Sequence, residues 1–133
     1  MKKDLKLGTG YSGVLHYDKE KPISLEDWFK EISQSKIFDY VDKTPPKDQF
    51  NLYKKLSEKY DLPILSSGWF YVLGKEEDFI LDNLKMGADI GTKYHNVQII
   101  TNHADGHPVS DQEVADIYMK ATEYGEKVGC LPC

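Results

Sequence analysis

The chain has no run approaching the roughly 20 consecutive apolar residues that a membrane-spanning helix needs. Its charged start, Met1-Lys2-Lys3-Asp4, leads into no signal-peptide apolar core, so no membrane contact and a cytoplasmic location are expected. Cysteine is scarce. Cys130 and Cys133 are the only two, too few for a disulfide scaffold and suited to a reducing compartment. A basic excess is missing as well, and the net charge of -5 argues against a broad phosphate-tracking surface and hence against a nucleic-acid partner. The glycine-rich stretch Gly8-Thr9-Gly10-Tyr11-Ser12-Gly13 lacks the Gly-Lys-Ser/Thr ending of a phosphate loop and reads as a strand-to-helix connection. There is no Gly/Ser-rich linker and no low-complexity segment. At 133 residues the chain is expected to form one domain over 1–133, long enough to bury a core.

What is present is a strand-then-helix pattern repeated four times. Leu5 to Gly10 is the first strand candidate. Ser24-Leu25-Glu26-Asp27 is a capping-box variant, and Leu25, Trp28, Phe29 and Ile32 follow at i, i+3, i+4 and i+7, one buried helical face. Phe38 to Val41 predicts the second strand. After Thr44-Pro45-Pro46, the residues Phe50, Tyr53, Leu56 and Tyr60 mark the inner face of a second helix. Leu62 to Ser66 predicts the third strand, followed by an aromatic loop, Ser67-Gly68-Trp69-Phe70-Tyr71-Val72. Glu76, Glu77 and Asp78 suit the start of a third helix, with Phe79, Ile80, Leu84 and Ala88 along it and Gly91 as its stop. The fourth strand is expected from about Tyr94 to Ile100. Ser110-Asp111-Gln112-Glu113 is a full capping box that opens the fourth helix, with Val114, Ile117, Tyr118 and Ala121 facing the core. Cys130-Leu131-Pro132-Cys133 reads as the start of a fifth strand. The pattern is α/β: four parallel β–α units plus that start.

Lys93 to Pro108 organises the rest. An apolar strand runs into a polar turn holding Asn102, His103, Asp105 and His107, immediately before a helix. In parallel α/β folds ligands gather where strands end and helices begin. His103, Asp105 and His107 suit zinc or manganese by type, and their i, i+2, i+4 spacing can bring two of them together. The same residues equally make an Asp-Gly turn with solvated histidines, and this cluster alone is not taken as a metal site. Cys130-x-x-Cys133 supplies half a zinc site or a redox pair by spacing, but free cysteine is commonly just a small buried apolar residue.

Gly87-Ala88-Asp89-Ile90-Gly91-Thr92-Lys93-Tyr94-His95-Asn96-Val97-Gln98, then His103-Ala104-Asp105-Gly106-His107-Pro108, then Tyr124-Gly125 and Val128-Gly129, resembles the xylose-isomerase-like sugar phosphate isomerase/epimerase superfamily. The resemblance covers nearly the whole chain. It implies half of a (β/α)8 TIM barrel with its active site at the C-terminal ends of the strands, since a complete barrel takes roughly 250 residues. It further implies aldose–ketose isomerisation or epimerisation of a sugar or sugar phosphate by proton shift, with a divalent metal (Mn, Zn, Mg or Co) in the complete barrel. The family's metal ligands come largely from the fifth strand onward, beginning with a Glu, so no metal ligand is carried over to this chain.

A proton shift next to a carbonyl needs a base and a group that stabilises the enediolate. The unperturbed pKa of histidine suits proton transfer, which makes His103 and His107 the candidates. Lys43, after the second strand, can polarise an oxygen. Tyr11, Trp69 and Tyr71 can line a ring face, and Asn102 and Asp105 can bind hydroxyls. Trp69 and Tyr71 can instead simply pack under the next helix. His16 is a weaker candidate, and His95, near the start of the fourth strand, is expected to be structural. The rival to the enzyme half is a non-catalytic half barrel that binds a small ligand or another protein. Four parallel strands leave open edges and an apolar face, which predicts a homodimer or pairing with a second half barrel.

Overall fold

Ser24 closes the N-terminus of the first helix by accepting the Asp27 backbone N–H at 3.1 Å, while its own hydroxyl donates to the Asp27 carboxylate. The computed structural model, which describes residues 5–10 and 23–133, places this helix, α1, at Leu25–Ser35 between strands β1 (Gly8–Thr9) and β2 (Tyr40–Asp42). A turn of 3-10 helix at Lys47–Gln49 leads into α2 (Phe50–Tyr60), and then come β3 (Ile64–Tyr71), α3 (Glu77–Ile90), β4 (Tyr94–Ile99), α4 (Asp111–Val128) and β5 (Leu131–Pro132). Tyr11 and His16 lie outside the described residues. Five parallel strands alternating with four helices are what the periodicity predicts. No helix among the described residues is long and apolar enough to cross a membrane.

The chain divides after Leu65 into two units, with β3 beginning in the first and ending in the second. In the first unit β1 pairs in parallel with β2, Gly8 opposite Tyr40 and Thr9 opposite Val41. The predicted helical stripes are the buried ones: Trp28, Phe29 and Ile32 on α1, and Tyr53 and Leu56 on α2. Trp28 meets Phe29 edge-on at 5.2 Å between centroids, and Phe29 meets Tyr53 at 6.0 Å, an arrangement that satisfies the ring quadrupoles.

In the second unit β3 pairs with β4 over six residues, from Ser66 opposite Tyr94 to Tyr71 opposite Ile99, and β4 pairs with β5. This corrects the expected end of β3. The aromatic stretch after Ser66 is strand rather than loop, because aromatic side chains suit a pleated surface and β4 supplies a full ladder for them. Tyr71, Leu73, Ile80, Leu84, Val97, Ile117, Ala121 and Cys130 form one core against α3 and α4. The register puts Phe70, Tyr94 and Leu131 on the other face of the sheet, Tyr94 beside Leu131 and Phe70 four residues further along opposite Gln98, and all three are exposed.

Candidate functional site: the turn between β4 and α4

The site is built on the connection from Ile100 to Ser110, between β4 and α4. Tyr71 C=O accepts the Ile100 N–H, and Leu73 C=O accepts the Ala104 N–H at 2.8 Å, so the end of β3 holds the turn in place. Within the turn, His103 N–H donates to His107 C=O and Gly106 N–H donates to His103 C=O, each at 2.9 Å, and Asn102 and Pro108 form an antiparallel bridge. Gly106 takes φ +95°, the left-handed conformation that an Asp-Gly turn requires. A Cβ at Gly74, itself at φ +84°, would overlap the His103 imidazole, so only glycine lets that ring settle where it does.

Three of the predicted residues are brought together. The His103 and His107 rings stack at 4.5 Å with 23° between their planes. The Nδ1 atoms of both aim at one carboxylate oxygen, Asp105 Oδ1, at 3.2 Å from His103 and 2.5 Å from His107. Asp105 Oδ1 also accepts the His107 backbone N–H at 3.0 Å. That backbone bond is the largest influence, and with the His107 side chain it outweighs the opposing effect of burial and lowers the Asp105 pKa.

On its other side His107 presents Nε2 to Glu113 Oε1 at 2.8 Å. Glu113 is fixed by the capping box: its Oε2 accepts the Ser110 N–H and hydroxyl, both at 2.8 Å, while Ser110 Oγ accepts the Glu113 N–H. Those Ser110 bonds, with His107 next, hold the Glu113 carboxyl down at about 2. Both ring nitrogens of His107 therefore face carboxylates, and the contacts with Glu113 and then Asp105 raise its pKa. The sequence marks Glu113 only as a helix cap. Its second role was readable in principle, because a capping-box Glu turns back over the residues that precede its helix.

A pocket of about 240 Å³ opens beside His103, lined also by Leu73, Glu77, Asp116, Ile117 and Lys120. The sequence offered no sign of it, since its walls come from the β3–α3 connection and a face of α4 as well as from the turn.

The remaining candidates are placed elsewhere. Asn102 is exposed at the base of the turn. Lys43 follows β2 in the first unit, half-buried. Trp69 is 47 % exposed and Phe70 58 %, whereas Tyr71 is wholly buried. The Tyr71 hydroxyl accepts from Asn83 Nδ2 at 2.7 Å and meets His95 Nε2 at 2.6 Å, so this side chain packs in the core and shows no ring face to a ligand. His95 is wholly buried, with Nδ1 at 2.6 Å from Ser67 Oγ. Cys130 is buried and Cys133 exposed, both as free thiols.

A parallel α/β array with its polar residues collected at a strand end is half of a TIM-barrel-type fold. No protein-family model and no curated relative matches the sequence. Solved structures do match. A 3-keto-D-glucoside 4-epimerase from E. coli is 16% identical over 96% of this chain and 54% of its own, with a TM-score of 0.69. A sugar phosphate isomerase/epimerase from Parabacteroides distasonis is 17% identical over 96% of this chain and 49% of its own, at 0.61. A 3-dehydroquinate dehydratase from Geobacillus kaustophilus is 16% identical over 88% of this chain and 46% of its own, at 0.54. The chain thus spans about half the length of the structures it matches.

Proposed function

We propose that this chain is the first half of a sugar or sugar phosphate isomerase/epimerase-type barrel, acting in the cytoplasm, with the β4–α4 turn as its acid–base edge. The observation that carries the proposal is the stacked pair His103 and His107 at the C-terminal end of β4, beside a pocket small enough for a compact polar molecule. Two of the matched structures are a sugar epimerase and a sugar phosphate isomerase/epimerase, which supports the general kind of reaction.

A proton shift beside a carbonyl needs a base and a positive group for the enediolate oxygen. His103 Nδ1 faces the Asp105 N–H at 3.3 Å and the His103 ring borders the pocket, which makes it the base of the pair in this reading. His107, between two carboxylates, is held as the cation and is the donor of the pair. Asp105 and Asn102 offer polar groups to sugar hydroxyls, and Trp69 offers an exposed ring face. His103, Asp105 and His107 are the residues of this chain that would hold a divalent metal by type and position, and such an ion would supply polarisation of the carbonyl oxygen.

The test is to add keto-sugars and sugar phosphates to the chain in D2O and follow loss of the C–H signal next to the carbonyl by proton NMR. Exchange that disappears in His103→Gln supports the reading. Absence of both exchange and binding-induced shifts at residues 101–113 refutes it.

Phe70, Tyr94 and Leu131, exposed apolar side chains on one face of the sheet, favour a second reading, a half barrel whose main role is association with a copy of itself or with a second half barrel. Sugar-induced shifts without exchange, together with a dimer by light scattering, would select it. A dilution-stable monomer that binds no hydrophobic dye would remove it.

A further inference from the structure

His103 Nδ1 lies 3.2 Å from Asp105 Oδ1 and 3.3 Å from the Asp105 backbone nitrogen, a contact that a cation on Nδ1 would replace. His107 Nδ1 reaches the same oxygen from the other side, and all three ligand atoms lie within 4.8 Å of one another. The metal–nitrogen and metal–oxygen bonds of a tetrahedral zinc site, each about 2.0–2.2 Å, put neighbouring ligand atoms roughly 3.3 Å apart. The His103–Asp105 separation, 3.2 Å, is close to that, and the 2.5 Å contact between His107 Nδ1 and Asp105 Oδ1 opens as the cation takes the place of its proton.

Glu113 supplies an independent observation. A metal-bound histidine usually gives its other ring N–H to a carboxylate, which fixes the tautomer and the ring orientation. Glu113 Oε1 stands 2.8 Å from His107 Nε2, so the proton is kept on Nε2 and Nδ1 is the nitrogen left for a cation. Glu113 is itself immobilised by Ser110. The turn is held by its own backbone bonds and by β3, so little ordering remains to be done when a cation binds.

We propose that the β4–α4 turn is a binding site for a zinc-class divalent cation, held by His103 Nδ1, Asp105 Oδ1 and His107 Nδ1, with Glu113 as the positioning residue for His107. Two imidazoles and one carboxylate select borderline transition metals over magnesium or calcium, which want oxygen shells. The cation replaces the proton on His107 Nδ1, which leaves to solvent, and no electron transfer is involved. Three protein ligands leave a position open to water or to a small ligand. The inference needs no sugar, so it can fail or hold independently of the proposed isomerase chemistry.

The experiment is calorimetric titration of the EDTA-stripped chain with zinc chloride. One saturable site is expected, weakened at least tenfold by His107→Gln and by Asp105→Asn. Glu113→Gln, which keeps the capping bonds, should weaken it by about tenfold, the usual size of such a loss. Cys133→Ser should leave it unchanged, and magnesium should not compete. Imidazole nitrogen NMR on the unmodified chain gives a readout that does not depend on variants folding: zinc should shift Nδ1 of His103 and His107 and leave His95 in place. Absence of saturable binding up to millimolar zinc, binding that survives both His107→Gln and Asp105→Asn, loss of binding in Cys133→Ser, or unmoved His103 and His107 signals would each overturn the proposal.

Discussion

The Tyr71 hydroxyl meets His95 Nε2 at 2.6 Å where solvent reaches neither side chain. Because Asn83 Nδ2 donates to the same hydroxyl, Tyr71 must donate onward to His95, and His95 must then donate from Nδ1 to Ser67. The chain of bonds runs from α3 through β3 to β4 and back to β3, and it fixes His95 as the neutral Nδ1–H tautomer. Tyr71→Phe keeps the ring and removes the link. It strands a buried acceptor on His95 and a buried donor on Asn83, so it should cost about 2–3 kcal/mol by urea denaturation, well beyond the loss of an average hydrogen bond. A cost below about 0.5 kcal/mol would show that water replaces the hydroxyl.

The same burial makes stability depend on acid. Burial pushes the His95 pKa from 6.5 down to about 4. As pH falls from 6.5 toward 4, the unfolded chain takes up a proton that the folded chain refuses, so stability drops through that window by up to about 3 kcal/mol. Below about pH 4 both states are protonated at this residue and its contribution is spent. Denaturation midpoints measured from pH 7.5 to 4 should fall, and His95→Gln, although less stable at neutral pH, should show a flatter profile. An unchanged slope in that variant would assign the acid sensitivity to another group.

How much of this was legible in the sequence follows from what kind of signal each feature leaves. The helices were readable because Trp28, Phe29 and Ile32, or Ile117 and Ala121, recur with helical period, and because Ser24 and Ser110 announce their own caps. The end of β3 was misplaced because Ser67 to Val72 reads as an aromatic loop, while the ladder that makes 66–71 a strand is supplied by β4, about thirty residues away. In the site, His103, Asp105 and His107 stood out as a local cluster of ligand types. The Glu113 contact and the pocket depend on where α4 and the β3–α3 connection come to lie, and no local pattern encodes that. His95 was readable as structural from its place in β4, but its partners Tyr71, Ser67 and Asn83 were not.

Gly74 is where the turn and the β3–α3 connection are fitted to each other. Its φ of +84° is strained for any other residue, and a Cβ there would displace the His103 ring. Gly74→Ala should cost more than about 1 kcal/mol in stability. It should also separate the His103 and His107 ring signals from their stacked positions by NMR. A variant as stable as the parent, with the rings unmoved, would mean the connection bends freely around the new methyl group.

Ser110→Ala removes the hydroxyl that closes α4 at Glu113. Loss of an N-cap typically costs about 1 kcal/mol, and here the Glu113 carboxylate also loses one of its two Ser110 donors. The expected outcome is a lower denaturation midpoint together with a rise of the Glu113 pKa from about 2 toward the ordinary carboxylate range, followed by carboxyl carbon NMR. Ser110→Asp, another good cap, should recover the stability. Its added negative charge should raise the Glu113 pKa further, so the two readouts separate the capping role from the electrostatic one.

Cys130 and Cys133 do not form a redox pair in this fold. They flank the short strand Leu131–Pro132, and side chains three positions apart on a strand point to opposite faces. Cys130 joins the core, where its sulfur lies 3.0 Å from the position a Cβ on Gly87 would take, and burial pushes its thiol up to about 11. Cys133 is exposed. A disulfide needs Cβ atoms about 3.5–4.5 Å apart with converging vectors, which opposite faces do not provide. One equivalent of a thiol reagent such as DTNB should therefore react with the native chain at Cys133, with the second reacting only in denaturant. Oxidation with diamide should leave Cys130 as a free thiol and the denaturation midpoint unshifted. Native reaction of both thiols, or an intramolecular crosslink by mass spectrometry, would show that β5 peels away from β4 often enough to bring the two sulfurs together.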